Sequence, residues 1–287
     1  MGSIILTYHY VRDNSNMKCI TVNKFHNQIE MLSKQYKFVT LSELIKNPTN
    51  RPCCVFSFDD GLIDGFNNVL PILHKFGAKG TFFISTSVLL GKMLAAQKRH
   101  MLLSKLGPIK FTEEFNKKVS NKNKITSSEN YQDYYHRDDV ATANLKYHLD
   151  YCVGSEEALQ KVFSKFFNEK KELQSLYLSE NQIKIMLSKG MEIGSHGHTH
   201  QHLSRLSGSK LISEITKPQK ILKDHFSIDI KTMSYPFGDY NSEVMACVKQ
   251  CGLIAAVTVI PGNVQDSKSY FELCRVDCAD LGVDNGG

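Results

Sequence analysis

Short apolar segments alternate along this chain with longer amphipathic ones, and this alternation constrains the fold more than any other feature. Cys53-Cys54-Val55-Phe56 is apolar at successive positions, which is typical of a strand buried on both faces. Strands that alternate with helices form parallel sheets covered by helices. We therefore predict an α/β fold with strands at 4–8, 38–40, 53–58, 80–85, 191–193, 228–234, 253–260 and 270–276, and helices at 22–36, 41–45, 62–76, 211–225 and 242–252.

The pattern changes between residues 87 and 180, where strand signals disappear. Helical segments are predicted there at 91–105, 112–118, 138–150, 155–174 and 179–188, with a polar stretch at 120–130. We interpret the chain as one catalytic domain, residues 1–287, with a helical insertion at 88–180 that contributes to substrate recognition. Tyr131, Tyr134, Tyr135 and His136 of this insertion could stack on sugar or nucleotide rings, although packing within the insertion is the simpler explanation.

Four histidines lie close together in the segment 192–202, directly after a short apolar run. Gly194 and Ser195 break the extended pattern, so the histidines occupy a loop or the first turn of a helix. On a helical turn His196 and His200 would share a face, and two neutral imidazoles suit zinc or a similar divalent cation. A catalytic zinc usually takes three protein ligands, so an anionic ligand must come from elsewhere in the chain. A solvated, histidine-rich surface loop is the alternative.

Asp59 and Asp60 are the best candidates for that anionic ligand, because they follow the buried-type strand 53–58. Adjacent carboxylates point to different sides of the backbone, so one can bind a metal while the other accepts a proton. Asp-Asp-Gly alone is typical of a turn. Its occurrence together with the histidine segment, each after a buried-type strand, favours a metal-dependent site.

Three motifs resemble those of a known family, the polysaccharide deacetylases (carbohydrate esterase family 4, the NodB homology domain). They are Phe58-Asp59-Asp60-Gly61, Ser195-His196 with His200, and Tyr235-Pro236-Phe237-Gly238, and their order and spacing agree with the family. Segments 6–11 and 273–277 resemble further landmarks of one branch, so the resemblance covers roughly residues 3–90 and 178–280. It implies an irregular (β/α)7-type barrel with functional residues at the carboxyl ends of the strands.

The resemblance also implies roles for individual residues. Asp60, His196 and His200 would hold a divalent metal, Zn²⁺ or another such as Co²⁺, Ni²⁺ or Mn²⁺, and Asp59 would act as the general base. The backbone N–H of Phe237 would donate to the oxyanion that forms at the substrate's amide carbonyl.

Two departures from the family pattern affect these roles. The usual arginine ahead of Pro236 is absent, and we predict that Arg275 pairs with Asp59 instead; a surface position is the alternative for this arginine. No histidine follows His225, so the late histidine that many members use as general acid is missing. We predict that His9 replaces it, with His198 and His202 as weaker candidates, unless His9 is only a buried histidine bonded to a carboxylate.

The predicted function is a metal-dependent hydrolase that removes an N-acetyl or other small acyl group from an amino sugar. The formal net charge is +6, but the lysine-rich segments lack the arginines and interleaved aromatics of nucleic-acid readers, so we expect no nucleic-acid partner. No apolar run is long enough to span a bilayer and no export signal is evident. We therefore expect a cytoplasmic enzyme acting on a nucleotide- or lipid-linked saccharide in surface polysaccharide or lipopolysaccharide biosynthesis.

Two alternatives remain open at the level of sequence. One is a non-catalytic, metal-containing barrel that binds glycans, which the missing late histidine favours and the presence of both Asp59 and Asp60 disfavours. The other is an amidohydrolase or amide-transfer enzyme that acts on a formamide, a cyclic amide or a sugar amide. The sugar, the acyl group and the oligomeric state do not follow from the residues.

Overall fold

The structure, a computed structural model, describes residues 2–281 apart from residues 14, 16, 18, 48–49, 127–128, 136–137 and 153. It contains two compact units, the first formed by residues 1–92 and 174–287 and the second by Met93–Leu173. The second unit falls within the predicted insertion at 88–180, whose role stays a prediction. His136, one of the aromatic residues named above, lies outside the described residues.

Seven parallel strands of the first unit close into a barrel, as predicted. Around the barrel the order is β1, β8, β7, β6, β5, β4 and β3, and β3 pairs again with β1, while the short β2 adds to the side of β3. The strands are β1 Ile4–Tyr8, β2 Lys37–Phe38, β3 Cys53–Phe58, β4 Gly80–Ile84, β5 Glu192–Ser195, β6 Thr232–Ser234, β7 Ala255–Pro261 and β8 Leu273–Asp277.

Closure of the barrel depends on β1 and β3, which pair in register from Ile4 opposite Cys54 to Tyr8 opposite Phe58. Every residue of β3 is buried, as its unbroken apolar run predicts. Ile5, Val55 and Val257 belong to one buried cluster that fills the barrel. Because all pairings are parallel, the carboxyl ends of the strands meet at one rim, and the residues that follow them are brought together there.

The described residues form ten α-helices beside the strands. They are α1 Val22–Ser33, α2 Leu41–Lys46, α3 Leu70–Lys75, α4 Ala95–Asn116, α5 Val140–Tyr151, α6 Ser155–Phe166, α7 Glu169–Leu176, α8 Glu180–Ser188, α9 Gly208–Phe226 and α10 Ser242–Gln250. The second unit is built from α4, α5, α6 and most of α7. No helix in the described ranges is both long and apolar enough to cross a membrane.

Several predicted boundaries were wrong, each for a local reason. The segment 155–174 is not one helix, because Phe167 is extended and the side chain of Asn168 accepts from the N–H of Lys171 to start α7. The segment 62–76 contains a π-helical turn at Gly65–Val69 before α3. Pro71 is tolerated because it lies in the first turn of α3, where its missing N–H is not needed. The strand at 38–40 stops early, since Thr40 caps α2.

Candidate active site

Two adjacent carboxylates occupy the turn that follows β3 at the rim of the barrel. The backbone N–H of Asp59 donates to the carbonyl of Tyr8 at 3.0 Å and so extends the pairing of β1 with β3. Asp60 and Gly61 then adopt positive φ values of 72° and 68°. For a residue with a side chain this conformation costs roughly 1–2 kcal/mol. The turn keeps both carboxylates buried, and they contact different partners.

Asp60 meets two imidazoles from the far half of the chain. Its Oδ1 lies 3.5 Å from Nε2 of His196 and 3.3 Å from Nε2 of His200, and the two Nε2 atoms are 3.1 Å apart. The three side chains are at most 7% exposed. Within the described ranges they form the one group of three His, Cys, Asp or Glu residues whose ligand atoms all lie within 4.8 Å of one another.

The loop after β5 is irregular, so helical spacing does not bring the two histidines together. The backbone N–H of His196 donates to the carbonyl of Ile84 at 3.0 Å, and Gly197 follows with a φ of 72°. Buried Glu214 of α9 accepts a hydrogen bond of 2.6 Å from the N–H of Thr199 and contacts its hydroxyl as well. Backbone turns and a carboxylate from α9 therefore determine the conformation of this loop.

The contact between His196 and β6 defines which ring nitrogen of this histidine carries hydrogen. Nδ1 of His196 lies 2.8 Å from the carbonyl oxygen of Ser234. Because a carbonyl oxygen only accepts, Nδ1 must donate, and in the neutral ring Nε2 keeps its lone pair directed at Asp60 and His200. Metal-binding histidines in proteins are commonly oriented by such a contact to the other ring nitrogen.

The charges in this group also favour a cation. Burial alone would raise the pKa of Asp60, but His196 and His200, whose Nε2 atoms donate to this carboxylate when the rings are protonated, lower it well below its usual value. Burial lowers the pKa of His200, whereas for His196 the carboxylates of Asp59 and Asp60 outweigh burial and raise the pKa. The group thus presents one carboxylate and two imidazole nitrogens around a point where positive charge is stabilised, which is a donor set that suits zinc.

Asp59 is held by a guanidinium from β8. Nη1 and Nη2 of Arg275 donate to Oδ1 and Oδ2 of Asp59 at 3.1 and 2.9 Å, and Nε of Arg275 donates to the carbonyl of Thr258 at 2.7 Å. The hydroxyl of Ser234 donates to Asp59 Oδ2 at 3.2 Å. Arg275 is buried, so the surface position considered for it is wrong. Burial alone would raise the pKa of Asp59, but Arg275, His196 and His9 outweigh it and lower the pKa, which keeps the carboxylate ionised.

We expect Arg275→Met to shift the pH dependence of catalysis. Without the guanidinium, burial dominates and raises the pKa of Asp59, so this carboxylate, predicted to be the general base, would be ionised only at higher pH. The acidic limb of kcat/KM should move upward by about one pH unit or more. The free energy of unfolding should fall by about 3 kcal/mol, because a buried charge loses its partner. Arg275→Lys keeps the charge and should show a smaller shift; an unchanged acidic limb in Arg275→Met would contradict the pairing's role.

His9 follows β1 at the same rim, but its side chain is exposed. The alternative that this histidine is buried is therefore wrong. Its charge contributes to lowering the pKa of both Asp59 and Asp60, so it lies within electrostatic range of both carboxylates. The segment that carries it is anchored nearby, because Arg12 makes a bidentate pair with Asp64 at 2.7 Å for each contact, and Asp64 also accepts from the N–H of Val11.

Phe237 lies beside the histidines through its ring. The ring packs edge-on against His200, with centroids 4.5 Å apart, and stacks on His202 at 4.2 Å. His202 also lies 3.7 Å from Asp239. His198 instead contacts the hydroxyl of Thr86 at 2.9 Å and is not part of the group around Asp60.

Backbone strain concentrates at this rim. Four non-glycine residues of the described chain have positive φ, and three of them, Asp60, His200 and Phe237, carry predicted site roles. The fourth, Ser227, ends α9. Residues in this conformation cluster at functional sites because surrounding contacts must hold them there. The strain supports the placement of the site independently of side-chain chemistry.

Gly197→Ala tests how tightly the histidine loop is built. A Cβ at this position would lie 3.0 Å from Oε1 of Glu214 and 3.4 Å from Pro236, in addition to the strain of a φ of 72°. We expect a loss of about 2 kcal/mol in the free energy of unfolding, measured by chemical denaturation, together with weaker metal binding. Gly91→Ala is the matched control, because its φ is 80° and nothing lies within 4 Å of the added Cβ. Equal losses in both variants, with metal binding intact, would show that the loop tolerates displacement.

Sequence reasoning missed three residues that hold the site together. Ser234 contacts both His196 and Asp59, but a serine at the end of a strand gives no distinct signal. Glu214 could have been found, since it falls at the helical spacing of the buried residues Leu211, Ile215 and Leu222 of α9. Asp64 gives only its position directly after Asp59 and Asp60, and its burial is seen in the structure alone.

With this geometry described, comparison with known proteins identifies the family. The family model "Polysaccharide deacetylase" matches residues 46–129 and 153–256, which is more than half of the chain. The chain belongs to the polysaccharide deacetylase family. The matched ranges include Asp59, Asp60, His196, His200 and Phe237, whereas β1 with His9 and β8 with Arg275 lie outside them. The resemblance stated from the motifs is thereby confirmed, and so is a carbohydrate deacetylase as the class of enzyme.

Relatives of this deacetylase include "Putative polysaccharide deacetylase YxkH" of Bacillus subtilis, 21% identical over 279 residues that cover 95% of this chain and 70% of that protein. Poly-beta-1,6-N-acetyl-D-glucosamine N-deacetylase of Staphylococcus aureus is 31% identical over 112 residues. That match covers 36% of this chain and 39% of the staphylococcal protein, so it spans well under half of either.

Solved structures confirm the barrel. The deacetylase PplD of Streptococcus pyogenes, in complex with acetate, superposes with a TM-score of 0.60 at 17% identity and covers 96% of this chain and 92% of its own. The deacetylase domain of BpsB from Bordetella bronchiseptica gives a TM-score of 0.58 at 15% identity, with 96% and 95% covered. At these identities the likeness establishes the fold alone.

Proposed function

We propose that this deacetylase removes N-acetyl groups from amino-sugar residues of a polysaccharide in a metal-dependent reaction. The observation that carries the proposal is the convergence of Asp60, His196 and His200 beside the separate, ionised carboxylate of Asp59. The names of relatives that act on poly-β-1,6-N-acetyl-D-glucosamine support an N-acetylated hexosamine as the substrate.

Asp60 and the Nε2 atoms of His196 and His200 would hold the metal, for which Zn²⁺ suits the donor set best. When bound, such a cation supplies Lewis acidity that polarises an amide carbonyl and lowers the pKa of water. The contact of His196 Nδ1 with Ser234 orients one ligand before any cation arrives.

The remaining steps use groups of the chain itself. Asp59, ionised and oriented by Arg275, takes a proton from the attacking water, whose oxygen forms a bond to the amide carbon. The N–H of Phe237 donates to the carbonyl oxygen as negative charge develops there. A proton from His9 neutralises the nitrogen as the carbon–nitrogen bond breaks, which releases acetate and leaves a free amine. A base at Asp59 and a metal ligand at Asp60 fit the different partners that these two carboxylates contact.

Release of acetate tests the proposal. The zinc-loaded protein should release acetate from soluble poly-β-1,6-N-acetylglucosamine, with equimolar formation of primary amine. Simple N-formyl and cyclic amides serve as comparison substrates for the other amide chemistries. Stoichiometric metal without turnover of any amide would instead support a non-catalytic glycan-binding barrel.

His9→Gln tests the assignment of the general acid. Glutamine cannot deliver a proton to the leaving nitrogen, so kcat should fall about 100-fold while metal content stays the same. A substrate with an activated leaving group needs less protonation of its nitrogen. For such a substrate, the loss of kcat in His9→Gln should be smaller. His74→Gln, an exposed histidine on α3, is the control. An unchanged kcat in His9→Gln would mean that another group is the general acid.

A nucleotide- or lipid-linked saccharide is the second candidate substrate. The formal net charge of +6 favours it, because a basic protein attracts a carrier with a diphosphate group. If this candidate is right, kcat/KM for a diphosphate-linked N-acetylhexosamine should exceed that for the free sugar and should fall as salt is added.

A further inference from the structure

Four tyrosines of the second unit form an exposed aromatic cluster, which we call the tyrosine cluster: Tyr131, Tyr134, Tyr147 and Tyr151. Tyr147 stacks on Tyr131 with centroids 3.6 Å apart and planes 5° apart, and on Tyr151 at 4.6 Å and 18°. Tyr134 meets Tyr147 at 5.0 Å and Tyr151 at 6.1 Å. Rings held against one another in this way are already ordered before a ligand binds.

The backbone around the cluster is fixed by α5. Tyr147 and Tyr151 are four residues apart on this helix and share a face. The side chain of Asn144, also on α5, accepts from the N–H of Tyr131 at 3.0 Å and donates to the carbonyl of Glu129 at 2.6 Å. These contacts hold the loop that carries Tyr131 against α5. The hydroxyl of Tyr135 is directed to Asp150, so this residue does not belong to the cluster.

Packing of the second unit does not account for the outer two rings. Tyr134 is 60% exposed and Tyr151 is 45% exposed, whereas the interior of this unit is filled by other residues, among them Phe111, Phe115 and Phe163, which are fully buried. Large aromatic rings grouped on a surface commonly mark a binding site. The simpler explanation offered from the sequence, packing within the insertion, therefore holds for Tyr131 and Tyr147 better than for Tyr134 and Tyr151.

The cluster also lies outside the part of the chain that the family shares. The family model matches residues up to 129 and again from 153, so all four tyrosines fall in the segment that it leaves out. The family model therefore does not describe the segment that carries the cluster.

The charge around the cluster indicates what it binds. Residues 129–151 contain five acidic and two basic residues, and three of the acidic ones are paired, Asp138 with Lys146, Asp150 with Arg99 and Glu129 with His148. Asp133, between Tyr131 and Tyr134, is exposed. This combination disfavours nucleic acids and other polyanions. It favours a ligand with flat apolar faces and positive charge, since ammonium groups bind both to carboxylates and to the faces of aromatic rings.

We infer that the tyrosine cluster is a second glycan-binding site, which takes partly deacetylated amino-sugar polymer with sugar rings against Tyr134 and Tyr151 and a sugar ammonium near Asp133. The choice of polymer rests on the proposed function, because deacetylation of N-acetylhexosamine is what creates free amines on a neutral chain. Holding the product polymer keeps remaining acetylated residues at a high local concentration. The site would thus affect the deacetylation of polymer and leave the deacetylation of short substrates unaffected.

Fluorescence anisotropy with a labelled, partly deacetylated poly-β-1,6-N-acetylglucosamine tests the inference on the full-length, zinc-loaded protein. The doubly substituted variant Tyr134→Ala/Tyr151→Ala should bind this polymer about tenfold more weakly, as expected for the loss of two stacking faces. The variant Tyr134→Phe/Tyr151→Phe keeps both faces and should bind nearly as the parent does. Asp133→Asn should weaken binding of the partly deacetylated polymer and leave binding of the fully acetylated polymer unchanged.

Tyr270→Ala is the control for a general effect of losing a surface tyrosine, since Tyr270 is 57% exposed and lies in the first unit. Unaltered polymer binding by the double alanine variant, an equal loss in Tyr270→Ala, or a change only in self-association would each overturn the inference. Circular dichroism and acetate release from a disaccharide report on folding and on the barrel's chemistry. Anisotropy reports polymer binding and requires no turnover, whereas acetate release reports deacetylation. A protein that does not deacetylate can therefore be distinguished from one that does not bind polymer at the tyrosine cluster.

Discussion

Asp59→Asn should abolish acetate release, with kcat reduced by about 1,000-fold or more, while one metal ion per chain remains bound. Asparagine has the shape of the carboxylate but cannot take a proton from water. Its one carbonyl oxygen can still accept from Arg275 or Ser234, so the group around Asp60 should persist, although the free energy of unfolding should fall by about 3 kcal/mol because buried Arg275 loses its charged partner. Acetate release under saturating substrate and metal analysis of the same sample measure the two effects.

Asp229→Asn is the matched control, since Asp229 is an exposed aspartate paired only with Lys223 among the described contacts. It should leave both activity and metal content unchanged. Loss of metal in Asp59→Asn would mean that Asp59 is itself a ligand. Retention of most of the activity would mean that another group removes the proton, and the division of roles between the two carboxylates would be wrong.

His200→Ala should remove both metal and activity. Two of the three ligand atoms remain, and the vacated volume is buried between Asp60, His196 and Phe237. With one of three protein ligands gone, we expect metal affinity to fall at least about 100-fold and residual activity near background. Equilibrium dialysis against buffered zinc measures the affinity.

His198→Ala is the control for this variant, because His198 lies in the same loop and contacts Thr86 rather than Asp60. Its metal affinity should stay within about threefold of the parent value, which is less than 1 kcal/mol. If His198→Ala lost as much metal as His200→Ala, the loop as a whole, rather than the particular imidazole, would determine binding. Zinc affinity unchanged in His200→Ala would exclude this histidine as a ligand.

Much of the fold could be predicted because the apolar pattern reports burial directly. The unbroken run at Cys53–Phe58 predicted a strand covered on both faces, and every residue of β3 is buried. Parallel strands bring their carboxyl ends together, so residues after β3 and β5 were expected to meet. Asp60 and the two histidines do meet, and the pairing of Arg275 with Asp59 is also present.

The parts that could not be predicted depend on backbone conformation and on contacts between distant segments. A helical turn was one expectation for His196 and His200, but positive φ at Gly197 and His200 produces the convergence instead. The roles of Ser234 and Glu214 arise from which strand and helix pack beside the loop. A helix predicted as continuous at 155–174 is divided at Phe167, because a local cap competes with helical propensity.

An anomalous-difference map from a crystal of the zinc-loaded protein, recorded at the zinc edge, tests the central claim most directly. We predict one strong peak about 2.0–2.2 Å from an Asp60 carboxylate oxygen and from Nε2 of both His196 and His200, with Asp59 outside this distance. A peak at other residues, or no peak near Asp60 in crystals grown with saturating zinc, would contradict the account.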